Sequence, residues 1–127
     1  MQNTHYERLG GAEATRQLVD TFYDLMHLED KYHDLHALHP TDLAQSREKL
    51  FMFLSGWLGG PQLFVEKFGH PRLRRRHMPF TIGINERDQW MNCMIEAMQA
   101  CEVEAELFDE LKVAFFKTAD FMRNQAE

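Results

Sequence analysis

Apolar residues recur along most of this chain at intervals of three and four, the rhythm of helices with one buried face. Leu18, Val19, Phe22, Tyr23, Leu25 and Met26 predict a helix over 12–28, opening after the Gly10-Gly11 breaker. Residues 29–41 are short, polar and His-rich, and Pro40 ends them. Thr41 then suits an N-cap, with Asp42 in the first turn. Leu43, Ser46, Leu50, Phe53, Leu54 and Trp57 follow on a helix that Gly59-Gly60-Pro61 stops.

Residues 61–69 form a short amphipathic piece closed by Gly69. His70-Pro71 opens another short helix, because proline fits a first helical turn. Met78-Pro79 ends it, since the residue before proline is pushed out of the helical region. His77 therefore sits in its last turn. Asn85 caps the next helix, with Glu86 and Asp88 in its first turn and Trp90, Met94, Ala97, Met98 and Cys101 inward. The last helix runs near 104–124, with Leu107, Leu111, Ala114, Phe115, Thr118 and Phe121/Met122 inward. No strand pair and no internal repeat emerges. Four substantial helices and short connectors make one all-α domain over 1–127, a length that buries one core.

Composition sharpens this picture. Eight Met, ten Phe and two Trp suit an adaptable core, or a pocket for something large and flat. The net charge of -6 makes the whole surface no magnet for nucleic acid. No apolar run is long enough to span a membrane, and early Glu7, Glu13, Asp20 and Asp24 do not suit a signal peptide. The cytoplasm is the expected compartment. On a shared helix Cys93 and Cys101 would stand about 12 Å apart, too far to pair, and read as reduced thiols. Gly-rich phosphate loops, Cys-x-x-Cys and His-Glu-x-x-His patterns are absent from the sequence.

Two constellations remain. Tyr23, Ser46 and Trp90 each share a face with apolar residues. Either they pack in a core with locally satisfied tips, or three donors converge on one buried acceptor, an anion or polarised small ligand. The second is the run from His70 to Phe80. Residues 66–87 hold six Lys/Arg against two Asp/Glu, a local +4. It reads as a solvated basic face, as a nucleic-acid patch without interleaved aromatics, or as cations around an anionic cofactor edge with His77 as a metal ligand.

Together these residues resemble the truncated haemoglobins of the second group. The likeness runs through Tyr6-Glu7-Arg8-Leu9-Gly10-Gly11, Phe22-Tyr23 and Arg47-Glu48-Lys49-Leu50 to Gly59-Gly60-Pro61. It is most specific in Gly69-His70-Pro71-Arg72-Leu73-Arg74, His77-Met78-Pro79-Phe80, Ile82-Gly83 and Glu86-Arg87-Asp88-Gln89-Trp90, with Cys93-Met94 after them. The resemblance implies a truncated globin-like two-over-two helical sandwich around one haem b (iron protoporphyrin IX). By position, His77 then looks like the proximal iron ligand. Tyr23 and Trp90 look like the distal tyrosine and tryptophan. Ser46 stands where classical globins have a distal histidine. His39 falls at the corner position, with His36 and Leu38 as alternatives. Leu50, Phe53 and Leu54 would cover the haem face, and Leu73, Phe80, Ile82 and Met94 would complete its walls. Lys49 and Arg76 are the candidate partners of the propionates.

The implied function is binding of dioxygen and other diatomic ligands, nitric oxide and carbon monoxide among them, or small anions, for carriage or storage. The alternative is a redox enzyme at the same iron, a nitric oxide dioxygenase or a peroxidase-like protein, served by an unidentified reductase. A helical interaction module without cofactor is a third reading. Neither nucleic acid nor membrane is an expected partner, and the expected state is a monomer or weak homodimer.

Overall fold

The computed structural model describes residues 4–125, so the ends of the expected 1–127 domain lie outside the described residues. All regular structure among the described residues is helical. The four long helices are α2 (Gly11–Leu28), α4 (Ala44–Trp57), α7 (Ile84–Ala100) and α8 (Ala105–Phe121). The short ones are α1 (His5–Leu9), α3 (His33–His36), α5 (Leu63–Phe68) and α6 (Leu73–His77), with a 3-10 turn at Asp30–Tyr32. The pattern of apolar positions left α1 and α3 unseen, because one helical turn is too short to establish a period.

Helices α2 and α4 pack as one pair and α7 and α8 as another, and α2 against α7 joins the pairs. The seam is built from Leu18, Phe22 and Met26 on α2 facing Met94, Ala97 and Met98, all fully enclosed. Buried Cys93 donates its thiol to Phe22 O at 3.1 Å, and burial pushes that thiol up to about 12. Cys93 and Cys101 are both free thiols, as their spacing requires. Two packed pairs of long helices make the all-α sandwich expected from the sequence.

Three expected helix starts are displaced. Leu43, not Thr41, occupies the N-cap of α4, and Asp42 Oδ1 instead accepts from Ala44 N at 2.9 Å. Helix α6 starts two residues after Pro71, with Arg72 as N-cap. Gly83 rather than Asn85 caps α7, its amide donating to Glu86 Oε1 at 2.8 Å. At each start a neighbouring side chain takes a backbone amide: Asp42 Oδ1 from Ala44, His70 Nδ1 from Arg72 and Glu86 Oε1 from Gly83. At the end of α8, Met122 turns inward while Phe121 is 63% exposed.

The Gly59-Gly60 turn receives α1. A Cβ on Gly60 would stand 2.6 Å from the Tyr6 ring, and Tyr6 N donates to Leu58 O at 2.9 Å. Helix α6, by contrast, lies along no neighbouring helix by a broad packed face.

Candidate functional site

A helix of five residues cannot hold its own shape, because nucleation is unfavourable and few bonds follow it. Helix α6 therefore depends on local anchors. Arg72 opens it in the left-handed region at φ 46°, and its amide donates to His70 Nδ1 at 3.0 Å. Arg76 Nε donates to Pro71 O at 2.6 Å. His77 is half-buried at the last turn, and its Nδ1 donates to Leu73 O at 2.7 Å. That bond puts the ring proton on Nδ1 and leaves the Nε2 lone pair bare, the form a metal requires.

Tyr23 is 5% exposed on the inner face of α2. Burial pushes its phenol well above the ordinary range, against the opposing pull of Arg47. The ring stays a neutral donor at pH 7. Arg47 lies 5.9 Å from the Tyr23 ring centre and is itself tied to Asp20 at 3.2 Å and Asp24 at 2.7 Å. Tyr23 Oη, Trp90 Nε1 and Ser46 Oγ have no hydrogen-bond partner among the described residues. No fully enclosed side-chain nitrogen or oxygen there lacks one, so these three tips border open space. Trp90 leans on Phe22 at 5.3 Å and Phe115 at 5.6 Å.

His39 stands edge-on to Tyr23, with ring centres 5.8 Å apart. Its Nδ1 donates to Leu35 O at 3.0 Å. Burial, foremost, lowers its pKa against that bond, and the imidazoles of His36 and His77 lower it further. His39, Tyr23 and His77 thus share one neighbourhood. His36 instead faces His27, edge-on at 5.3 Å, and Leu38 is half-buried.

Helix α4 carries two apolar faces, where the sequence suggested one. Phe51, Met52, Leu54 and Ser55 are buried in it, while Leu50, Phe53 and Trp57 are left half-open together with Ser46. A cleft of about 510 Å³ opens beside Phe53 and Trp57, bounded also by His70, Arg72, Leu73 and Phe121, while His77, Tyr23, Trp90 and Ser46 do not line it. That volume lies within the range of about 300–1,000 Å³ usual for ligand pockets. Leu54 and Met94 belong to the closed central core, and Ile82 is buried in the loop before α7. Phe68, Met78 and Phe80 are exposed around α6, so apolar surface gathers on this side.

Lys49 and Arg76 have no carboxylate partner among the described residues. Lys49 Nζ lies 5.7 Å from the Phe68 ring centre and the Arg76 guanidinium 5.1 Å from that of Phe64. Those two rings are 4.9 Å apart, so both cations stand on one aromatic rim. Arg74 has other duties, donating to Phe121 O at 3.2 Å and Arg123 O at 3.4 Å. Taken together, this donor set fits haem. It offers one neutral imidazole with a bare Nε2, half-open apolar walls, two cations without a carboxylate partner among the described residues at an edge, and three polar tips without acceptors.

Sequence reasoning missed two contributors. Arg47, backed by Asp20 and Asp24, underlies Tyr23. Asn124 grips the backbone after His77, donating to Phe80 O at 2.6 Å and His77 O at 3.3 Å. Arg47 lies in the run Arg47-Glu48-Lys49-Leu50 but carries no role there, Asn124 lies in no such run, and both act over long sequence separations that periodicity does not register.

Comparison with known proteins supplies the family. The Bacterial-like globin family matches residues 4–124. The group 2 truncated haemoglobin YjbI of Bacillus subtilis strain 168 is 40% identical over 98% of this chain and 92% of its own length. The cold-adapted truncated haemoglobin of the Antarctic marine bacterium Pseudoalteromonas haloplanktis TAC125 superposes with a TM-score of 0.94. It shares 46% identity and covers 97% of this chain and 99% of that one. A truncated oxygen-avid haemoglobin from Bacillus subtilis superposes at 0.89 with 39% identity, covering 96% of this chain and all of that one.

Proposed function

This chain belongs to the bacterial-like globins, in their group II truncated branch, and we propose that it holds haem b through His77 and binds dioxygen there. That it is a haem globin follows from the family. The observation that carries the finer reading is the bond from His77 Nδ1 to Leu73 O, which leaves Nε2 free to ligate. When bound, the haem supplies an iron with a coordination position open to a diatomic gas.

The chain's own residues do the rest. Leu73 O holds the His77 ring in one tautomer and one orientation. Leu50, Phe53 and Leu73 give apolar walls that keep water from the flat faces of the group. Tyr23, a neutral phenol whose burial raises its pKa further, would donate to the bound ligand. Trp90 donates as well, since an indole N–H accepts nothing. Ser46 is a lesser donor, and His39, low in charge because buried, closes the corner beside Tyr23. Such donors favour a ligand that becomes polar on binding, and dioxygen fits this better than carbon monoxide. The oxygen-avid relative carries the same broad architecture.

Reconstitution with haemin, followed by reduction, tests this directly. The expected result is one haem per chain and a ferrous visible spectrum that converts reversibly to an oxygenated one. A chain that takes up no haem, or ferrous protein that never forms a reversible oxygen adduct, would overturn the reading.

Lys49 and Arg76 pair with the propionates. Exposed ion pairs are individually weak, about 0.2–1 kcal/mol each. The double variant Lys49→Met/Arg76→Met is expected to lose haem only several-fold faster while its helix content is unchanged. Transfer of haem to a scavenging apoglobin measures the rate, and an unaltered rate would assign the propionates to other cations.

A further inference from the structure

The segment after α8 is stitched to the segment that follows His77. Asn124 makes four of the bonds. Its Nδ2 donates to Phe80 O at 2.6 Å and to His77 O at 3.3 Å, while its Oδ1 accepts from Ile82 N at 2.9 Å. Its backbone amide donates to Ile82 O at 2.9 Å. Phe80 O has no other donor among the described residues, and without Asn124 this exposed carbonyl would turn to water rather than to the end of the chain. The stitch is itself anchored. Arg74 of α6 donates to Phe121 O and Arg123 O. Asp120 receives Arg123 at 2.8 Å and Arg87 of α7 at 2.7 Å.

We infer that Asn124 is a positioning residue for His77: one side-chain amide ties both ends of the turn 77–82 to the end of α8 and so fixes where the imidazole stands. This rests on the reading of His77 as the axial ligand. Asn124 touches no ring atom and acts through the backbone. With α6 lying along no other helix, the hydrogen bonds from 121–125 replace the packing that would otherwise hold it.

Asn124→Asp is the informative variant. It is isosteric and keeps an acceptor for Ile82 N, but sets a carboxylate oxygen against two carbonyls. If Asn124 merely fills space, Asp behaves as wild type. If its N–H groups position His77, Asp and Asn124→Ala are both expected to lose haem about tenfold faster. Their iron–imidazole stretching band in the ferrous Raman spectrum should shift or broaden, with helix content unchanged. In haem-free Asn124→Ala protein, which loses the acceptor as well, hydrogen exchange at the Phe80 and Ile82 amides should accelerate by a similar factor, a readout that needs no cofactor.

A detached ligand separates positioning from general support. In His77→Gly protein supplied with free imidazole, Asn124→Asp is expected to leave the band where it was. An equal shift in that background, or wild-type haem loss and band position in Asn124→Asp itself, would overturn the inference alone. A wild-type band from His77→Gly without added imidazole would overturn the ligand reading, and this inference with it.

Discussion

His77→Ala is expected to release haem more than about 100-fold faster than the wild-type chain. Loss of a partner that only orients a metal ligand costs about 10–100-fold in affinity, and here the ligand itself goes. The remaining contacts are apolar walls and two exposed cations, which hold a flat group without fixing its iron. His39 and His70 are the nearest substitutes. His39 likewise donates Nδ1 to a carbonyl, Leu35 O, and so keeps its own Nε2 bare, but it stands beside Tyr23; His70 accepts from Arg72 N ahead of α6. Neither occupies the site His77 leaves. Haem transfer to an apoglobin, with the ferrous spectrum recorded beside it, measures the effect. A His77→Ala protein with a normal deoxy spectrum would mean that a different histidine ligates.

Tyr23→Phe and Trp90→Phe are each expected to raise the oxygen dissociation rate about ten- to a hundredfold. A hydrogen bond to a charged or strongly polarised acceptor contributes about 1.5–3 kcal/mol, and about 1.4 kcal/mol is a factor of ten. Both donors lack partners among the described residues, so neither has to surrender a bond seen there to serve the ligand. Their effects should fall short of additive, because two donors share one acceptor. Carbon monoxide, less polar when bound, should respond far less. Flash photolysis and stopped-flow mixing on the same variants give both rates. Equal changes for the two gases would mean the rings act as steric gates. An unchanged oxygen rate would leave Tyr23 and Trp90 as packing residues.

The long helices were legible because α2, α7 and α8 each present a continuous apolar stripe. Helix α4 was legible in extent but not in orientation. Its run Leu50-Phe51-Met52-Phe53-Leu54 is apolar on every side, and periodicity cannot say which face closes and which stays open. Caps were misplaced where glycine or a backbone-bonded residue outcompeted Thr41 and Asn85. The candidate site was legible at His77, since Gly69, Pro71 and Pro79 confine any helix there to one turn. The bond that sets its tautomer was not, because Leu73 contributes a carbonyl that any residue would offer. Asn124 was hidden for the same reason. It reads backbone atoms 42 to 47 positions away, and no residue pattern encodes that.

Helix α6 has a consequence for how the protein is assembled and maintained. The α2–α7 seam buries its apolar surface without help, so it forms the part of the fold that opens last. Helix α6 and its flanking turns bury little and sit at the other end of the stability range. Held by His77 as proposed, haem would bind the ordered form and not the unfolded one, so its free concentration would become a term in the protein's stability. At 1,000 times its dissociation constant that term is about 4.1 kcal/mol, comparable to a large part of a small domain's whole folding free energy. A cell's haem supply would then govern how much of this globin survives as well as how much of it is loaded.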